Sequence, residues 1–159
     1  MSDRILRAMT DDGALRVMTL RSTDTVKGAL AAQNAPASVR GALSELLSAA
    51  ILYRETMAPT LRVQCFLKGS NESGTLIADS SPEGWSRVLA QLPKGEEAFD
   101  RGPGALLQMT RALPGGRLHQ GVVELPGSDI NEGVMRYMQL SEQIVTMVRV
   151  ATVFDDAGE

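Results

Sequence analysis

Hydrophobic and polar residues alternate along several short stretches of the chain, which is the pattern of a half-buried β-strand. The clearest example is Leu61–Lys68, where Leu61, Val63, Cys65 and Leu67 share one face of the predicted strand. Further strands are predicted at Ala14–Arg21, Thr75–Asp79, Trp85–Gln91, Gly104–Arg111, Arg117–Leu125 and Ile144–Phe154. Turn residues over 69–74 and 113–116 join neighbouring strands, so the sequence predicts two antiparallel hairpins.

Three other stretches have apolar residues at the three- and four-residue spacing of amphipathic helices. The predicted helices run from Ser22–Asp24 to about Gln33, from Pro36 to about Met57, and over Ile130–Gln143. Pro59 ends the second helix, because proline lacks the N–H that a helix interior needs. Ser128 or Asp129 can cap the third, with Ile130, Val134, Tyr137, Met138 and Ser141 on one face.

The order of these elements predicts the α+β class, with a mixed or antiparallel β-sheet core and helices packed across it. A chain of 159 residues is the usual size of one domain, so we expect a single domain over residues 1–159. The residues Asp155–Gly158 have the composition of a turn into yet another strand.

Composition and charge exclude several classes of function. The net charge of −3 argues against a nucleic-acid partner held by bulk charge. The longest uninterrupted apolar run, Ala49–Tyr53, is far shorter than the roughly 20 residues that span a membrane. The first ten residues lack the apolar core of a signal peptide, and a single cysteine suits a reducing compartment, so we expect a cytoplasmic protein without membrane partners.

The candidate chemical groups favour structural interpretations. Cys65 lies on the apolar face of a strand and is expected to be a buried, unreactive thiol. His119 lies on a strand without a nucleophile motif, so we expect a surface or hydrogen-bonded histidine. The glycine-rich turns lack the lysine of a phosphate-binding loop, and the paired acids fall in predicted loops. The sequence therefore does not predict an enzyme.

The segment Arg136–Gln143 resembles a signature of the thirty-three-kilodalton heat-shock protein family, the redox-regulated bacterial chaperones. Tyr137, Ser141, Glu142 and Gln143 are the residues that match this signature, and we expect them to support structure, with Glu142 and Gln143 bonded to backbone groups at the corner after the helix. Other segments resemble the family in the same order, namely Leu15–Arg16, Glu45–Ala50, Leu61–Gly69 and Gln120–Leu125.

The resemblance implies a holdase, which is a chaperone core that binds unfolded proteins without ATP. Such a core exposes apolar surface, and exposed apolar surface favours self-association, so we expect a homodimer. Family members carry a C-terminal zinc module with four cysteines that this sequence lacks, so we expect no zinc and no oxidation switch. We also expect the last strand of the family's core to be missing, either because the chain is a fragment or because it is a short relative. The alternative is an interaction domain that kept the fold and binds one folded partner.

Overall fold

The structure of the protein is a computed structural model that describes residues 2–57 and 60–155. In chain order the elements are β1 (Arg4–Met9), β2 (Arg16–Arg21), α1 (Thr23–Gln33), α2 (Ala37–Glu55), β3 (Val63–Lys68), β4 (Thr75–Ser80), β5 (Ser86–Gln91), β6 (Leu106–Ala112), β7 (Leu118–Glu124) and α3 (Ile130–Ser141). The predicted α+β class is confirmed. The predicted helix stop at Pro59 and the predicted turn at residues 156–158 lie outside the described residues.

Five of the strands form one antiparallel sheet in the order β5-β4-β3-β6-β7. The alternation in β3 explains its two faces: Val63, Cys65 and Leu67 are buried, whereas Gln64 and Phe66 are only half-buried. The buried face, here the inner face, packs against all three helices. No helix in the described residues is long and apolar enough to cross a membrane.

Helix α2 lies at the centre of the packing. It contacts β3, β4 and β5 of the large sheet, and it also contacts β2, α1 and α3. The stripe predicted from the sequence is buried at every position, namely Val39, Leu43, Leu46, Leu47, Ala50 and Ile51. Full burial of one leucine side chain stabilises the fold by about 1.5–3 kcal/mol, so this helix supplies much of the hydrophobic driving force.

The chain begins with a strand that the sequence pattern did not predict. Strand β1 pairs antiparallel with β2 in a separate two-stranded sheet, with Ile5 opposite Leu20 and Ala8 opposite Val17. Arginines and apolar residues occupy both faces of β1, so it lacks the clean alternation of a half-buried strand. Its extended form follows from pairing with β2.

Helix α1 is capped from the residue before this first strand. Ser22 precedes the helix but makes no side-chain hydrogen bond to its free N–H groups. The carboxylate of Asp3 accepts from the backbone N–H of Asp24 at 3.0 Å and of Thr25 at 2.7 Å. A carboxylate at this position satisfies two helix donors and complements the helix dipole, which fastens the first hairpin to α1.

The predicted strand at Ile144–Phe154 is wrong. The segment runs across the protein without regular strand pairing among the described residues. Val148 is half-buried and Val150 is buried, whereas Val145 and Met147 are more than nine-tenths exposed. Strong β-propensity produced the prediction, but a strand also needs a hydrogen-bonding neighbour, and propensity says nothing about the neighbour.

Gly121 in β7 lies where α3 approaches the sheet most closely. A methyl group added there would lie 2.6 Å from Cε2 of Tyr137 and closer still to the hydroxyl of Ser141. We therefore expect Gly121→Ala to destabilise the protein by about 1–3 kcal/mol, since α3 must move to relieve the overlap. Urea denaturation followed by circular dichroism measures this change.

Gly28→Ala is the matched control for this substitution. Gly28 is exposed in α1, and a methyl group there meets nothing within 4 Å. Alanine favours a helix by about 1 kcal/mol over glycine, so the control should unfold at the same or a higher urea concentration. Equal midpoints for both variants would contradict the close approach of α3 to β7.

Candidate functional site

The residues of the family signature lie on the last turn of α3 and directly after it. Tyr137 is fully buried and Ser141, one turn later, is half-buried against Gly121. Asp129 caps the start of α3 by accepting from the N–H of Asn131 at 2.8 Å, as one of the two predicted caps. These contacts fix the helix at both of its ends and hold Tyr137 against the sheet.

The corner after α3 turns sharply at Gln143. Its φ is +57°, the left-handed region that residues other than glycine seldom adopt. The N–H of Ile144 then donates to the carbonyl of Met138 at 3.0 Å, which closes the helix end. The Gln143 side chain is exposed, so the signature glutamine acts at this corner through its backbone conformation.

Glu142 lies at the centre of a cluster of five side chains, here the Glu142 cluster: Tyr53, Arg111, His119, Tyr137 and Glu142. Its Oε1 accepts hydrogen bonds from the hydroxyls of Tyr53 at 2.6 Å and Tyr137 at 3.0 Å. Its Oε2 accepts from Nη2 of Arg111 at 3.2 Å. Nε2 of His119 is 3.6 Å from Oε1, too far for a hydrogen bond but close enough to interact with the charge when protonated.

The two tyrosines also contact each other. Their rings meet edge to face with centroids 5.6 Å apart, and their hydroxyl oxygens are 3.2 Å apart. Each hydroxyl has one proton, so when both donate to Glu142 the contact between the two oxygens is not a further hydrogen bond. The carboxylate is therefore the acceptor that both buried hydroxyls require.

The cluster keeps Glu142 ionised. Burial raises the pKa of this carboxyl, but the hydrogen bonds from Tyr53 and Tyr137 and the positive charge of Arg111 outweigh burial and lower the pKa below its ordinary value. Burial raises the pKa of Tyr137 to about 12 and raises that of Tyr53 further. Both tyrosines are therefore neutral donors at physiological pH.

Sequence reasoning found Glu142 but assigned it the wrong partners. The prediction that it bonds to backbone groups is wrong, because its partners are side chains of α2, α3 and β6. His119 is not a simple surface residue either: its Nε2 is buried, faces Glu142 and has no hydrogen-bond partner in the part of the chain that the structure describes. Nothing in the local sequence marked Tyr53 or Arg111 as a partner of Glu142. Tyr53 fits the apolar stripe of helix α2, and Arg111 fits the alternation of strand β6.

The Glu142 cluster joins several elements of the fold. The Glu142 side chain is only 12% exposed, and it accepts hydrogen bonds from the side chains of Tyr53, Arg111 and Tyr137. The described residues contain no group of three or more histidine, cysteine, aspartate or glutamate side chains that could hold a metal ion. The arrangement ties the end of α2, the end of α3 and strands β6 and β7 to one carboxylate.

The opposite side of the large sheet, here the outer face, carries a row of mostly apolar residues. In register from β5 to β7 the row is Leu89, Ile77, Phe66, Gln108 and Val122. Leu89 is 39% and Val122 48% exposed, and neither packs with the hydrophobic core. The row crosses all five strands; its central residues Ile77, Phe66 and Gln108 are half-buried, and the described helices pack on the opposite, inner face.

A charged row lies beside this apolar row. Asp79 is buried there and accepts from Nε of Arg62 at 2.8 Å and from Nε of Arg87 at 3.0 Å. Burial by itself raises the pKa of Asp79. The two guanidinium groups outweigh burial and hold this pKa below its ordinary value. Two arginines around one carboxylate leave a positive edge next to the apolar row.

The fold places the chain among the α+β domains in which helices pack on one face of an antiparallel sheet. A family model described as Hsp33 protein matches residues 3–159, so the chain belongs to the Hsp33 family. This confirms the resemblance carried by the signature at the end of α3.

Named relatives agree with this assignment. The chain is 27% identical over 168 residues to a 33 kDa chaperonin of Thermus thermophilus, covering 98% of this chain and 49% of the relative. It is 29% identical over 161 residues to the 33 kDa chaperonin of Neisseria meningitidis serogroup A, covering 96% and 53%. The chain thus spans about half the length of these relatives.

A solved structure shares the fold. The crystal structure of the 33 kDa chaperonin from Thermotoga maritima superposes with a TM-score of 0.79 at 22% identity, covering 97% of this chain and 56% of the other. At this identity the likeness establishes the fold, and it confirms the predicted architecture of sheet and packed helices.

The Glu142 cluster predicts a specific pH dependence. Because the folded protein lowers the pKa of Glu142, its contribution to stability is complete above the ordinary value of 4.5 and is lost as pH falls through the folded value. Glu142→Gln should cost roughly 3 kcal/mol near neutral pH, since it removes the charge that pairs with Arg111 and leaves an amide between donors. Urea midpoints between pH 7 and pH 3 measure both effects.

The difference in urea midpoint between wild type and Glu142→Gln should shrink as the pH falls from 7 towards 3. The folded protein also lowers the pKa of Asp79, so the stability that Asp79 contributes falls towards acid pH as well, but it does so in both proteins and the difference between them isolates Glu142. Glu124→Gln, an exposed change of the same chemistry on β7, is the control and should match wild type at every pH. A constant gap between Glu142→Gln and wild type down to pH 3 would contradict the lowered pKa.

Proposed function

We propose that this chain is the client-binding core of an ATP-independent holdase chaperone, and that unfolded polypeptides bind on the outer face of its sheet. The observation that carries the proposal is the apolar row from Leu89 to Val122, which crosses the sheet and is not covered by the described helices. The names of its relatives, 33 kDa chaperonins, support a chaperone role.

The row suits weak, unselective binding. Removing apolar surface from water contributes about 25 cal/mol per Å², so a few half-exposed side chains give modest affinity for any apolar segment. Unfolded chains expose such segments and folded proteins bury them, so binding favours the unfolded client by mass action. Gln108 within the row and Arg62 and Arg87 beside it can hydrogen-bond to the client backbone.

We also propose that client binding by this chain requires neither a redox switch nor zinc. Cys65 is the single cysteine in the sequence, and it is buried on the inner face. Burial raises the pKa of its thiol, which keeps it protonated and unreactive. Client binding by this chain should therefore be independent of oxidants and of metal chelators.

A cytoplasmic homodimer completes the proposal. The first hairpin exposes Leu6, Met9, Leu15 and Val17, and β1 has an open edge among the described residues. Exposed apolar residues on an open strand edge favour pairing with a second copy. Sedimentation velocity at micromolar concentration should give the mass of a dimer, and a monomer at all concentrations would contradict this part of the proposal.

Light scattering of a thermally unfolding enzyme tests the holdase function. The protein in molar excess should suppress the scattering under reducing conditions and equally with peroxide. Leu89→Lys together with Val122→Lys places two charges in the apolar row and should raise the concentration needed for half-suppression roughly tenfold, equivalent to about 1.4 kcal/mol of lost affinity.

Leu140→Lys together with Val145→Lys is the matched control. These residues are also exposed apolar side chains, but they lie on and after α3, away from the outer face. The control should suppress scattering as wild type does. No suppression by folded wild-type protein would contradict the holdase proposal, and a single saturable partner in a pull-down would then favour the partner-specific alternative.

A further inference from the structure

The single tryptophan of the chain is exposed on the outer face of the sheet. Trp85 directly precedes β5, and its carbonyl accepts from the N–H of Ser81 at 2.9 Å, so it continues the pairing of β5 with β4. By the alternation of the strand, its side chain lies on the same side as those of Arg87 and Leu89. Trp85 is 77% exposed and does not belong to the hydrophobic core. Tryptophan is enriched among the residues that dominate binding energy, so this side chain extends the surface that a client can contact.

The charged row beside the apolar row has an excess of positive charge. Asp79 is the only carboxylate of β3, β4 and β5, and both Arg62 and Arg87 pair with it. Asp79 is buried, whereas the side chains of Arg62 and Arg87 are 45% and 71% exposed. Glu83, in the turn before β5, interacts with Arg54 of α2, which packs on the inner face. Once the pairing with Asp79 is counted, one positive charge remains, and it belongs to exposed side chains.

Both guanidinium groups keep hydrogen-bond donors for a further carboxylate. Arg62 and Arg87 each use Nε and Nη2 towards Asp79. Within the residues that the structure describes, neither Nη1 group donates a hydrogen bond. Each Nη1 carries two N–H donors, so an acidic side chain on the outer face has donors available that Asp79 does not use.

Trp85, Arg87 and Leu89 present an aromatic, a positive and an aliphatic side chain at alternate positions along one strand. Alternate residues of a strand are roughly 7 Å apart. An unfolded segment that lies extended on this face has the same spacing between its own alternate residues. Three such residues match the strand when they are apolar, acidic and apolar in turn.

We propose that Trp85 and Arg87 make the outer face selective for unfolded segments in which an acidic residue alternates with apolar ones. This inference rests on the proposed function and names the client segments that the outer face prefers. The apolar row binds any apolar segment, and the charged row adds a preference for aspartate or glutamate over lysine or arginine. Trp85 packs on an apolar client residue, and the Nη1 groups bind the acidic side chain.

Three short peptides without tryptophan test the preference. Each has valine, X and valine at alternate positions with serine between them and blocked ends, and X is glutamate, glutamine or lysine. Because Trp85 is the single tryptophan, a shift of its fluorescence to shorter wavelength reports binding at this part of the face. Affinity should fall in the order glutamate, glutamine, lysine, with roughly tenfold between the first and the last. The difference should shrink at about 0.5 M salt, because salt screens exposed charges.

Arg87→Gln removes the excess positive charge and leaves the pair of Asp79 and Arg62 in place. This variant should bind the glutamate and glutamine peptides equally. Arg136→Gln, which changes an exposed arginine on α3, is the matched control and should keep the preference of wild type. Equal binding of the glutamate and lysine peptides by wild type, or an unchanged preference in Arg87→Gln, would overturn the proposal.

Trp85→Ser tests the contact with apolar client residues. Anisotropy of fluorescein-labelled peptides should show roughly tenfold weaker binding of all three peptides to this variant. Leu140→Ser, at an exposed apolar residue on α3, is the control and should bind as wild type does. An unchanged Trp85 emission on binding, or equal affinity of Trp85→Ser and wild type, would overturn the role of Trp85.

Light scattering separates a failure of this inference from a failure of the proposed function. Suppression of scattering by wild type without a preference among the peptides overturns this inference and leaves the holdase proposal standing. A preference for the glutamate peptide without suppression supports the selectivity and contradicts the holdase proposal. Urea midpoints within error of wild type show that each variant is folded, so a lost signal reports on the outer face.

Discussion

The structure depends on the burial of α2. This helix contacts three strands of the large sheet, the first hairpin and both other helices, and its apolar stripe is inaccessible to water. The elements that touch α2 bury apolar side chains against it, and α1 and α3 also pack on the large sheet, so the sheet, the helices and the hairpin share one core. The outer face of the sheet follows from this arrangement, because the strands packed on α2 turn their other side away from it.

The Glu142 cluster fixes the position of α3 on the sheet, which hydrophobic packing alone would leave less well defined. Burying a carboxylate costs free energy, and the two tyrosine hydroxyls and Arg111 offset that cost only in one geometry. Gly121 permits this geometry, because any larger residue would push α3 away from the sheet. The signature residues of the family therefore set how α3 lies on β6 and β7, and they leave the outer face free.

The two faces of the large sheet differ in character. The inner face is covered by the three helices and forms part of the hydrophobic core. The outer face carries the mostly apolar row across five strands. The proposed binding of unfolded chains therefore uses the face on which the described helices do not pack.

The sequence by itself determined the elements with strong local patterns: the buried stripe of α2, the alternation in β3, a cap at Ser128 or Asp129 and the signature that marks the family. Tertiary structure decided what depends on partners distant along the chain. Strand β1 exists because β2 pairs with it, Asp3 caps a helix that starts only at Thr23, and Ile144–Phe154 stays unpaired despite its β-propensity. Glu142 contacts Tyr53 and Arg111 only in the folded protein, because both residues are distant from it along the chain. Local periodicity records which side of an element is buried, whereas the identity of the neighbour is fixed by long-range packing that no short window contains.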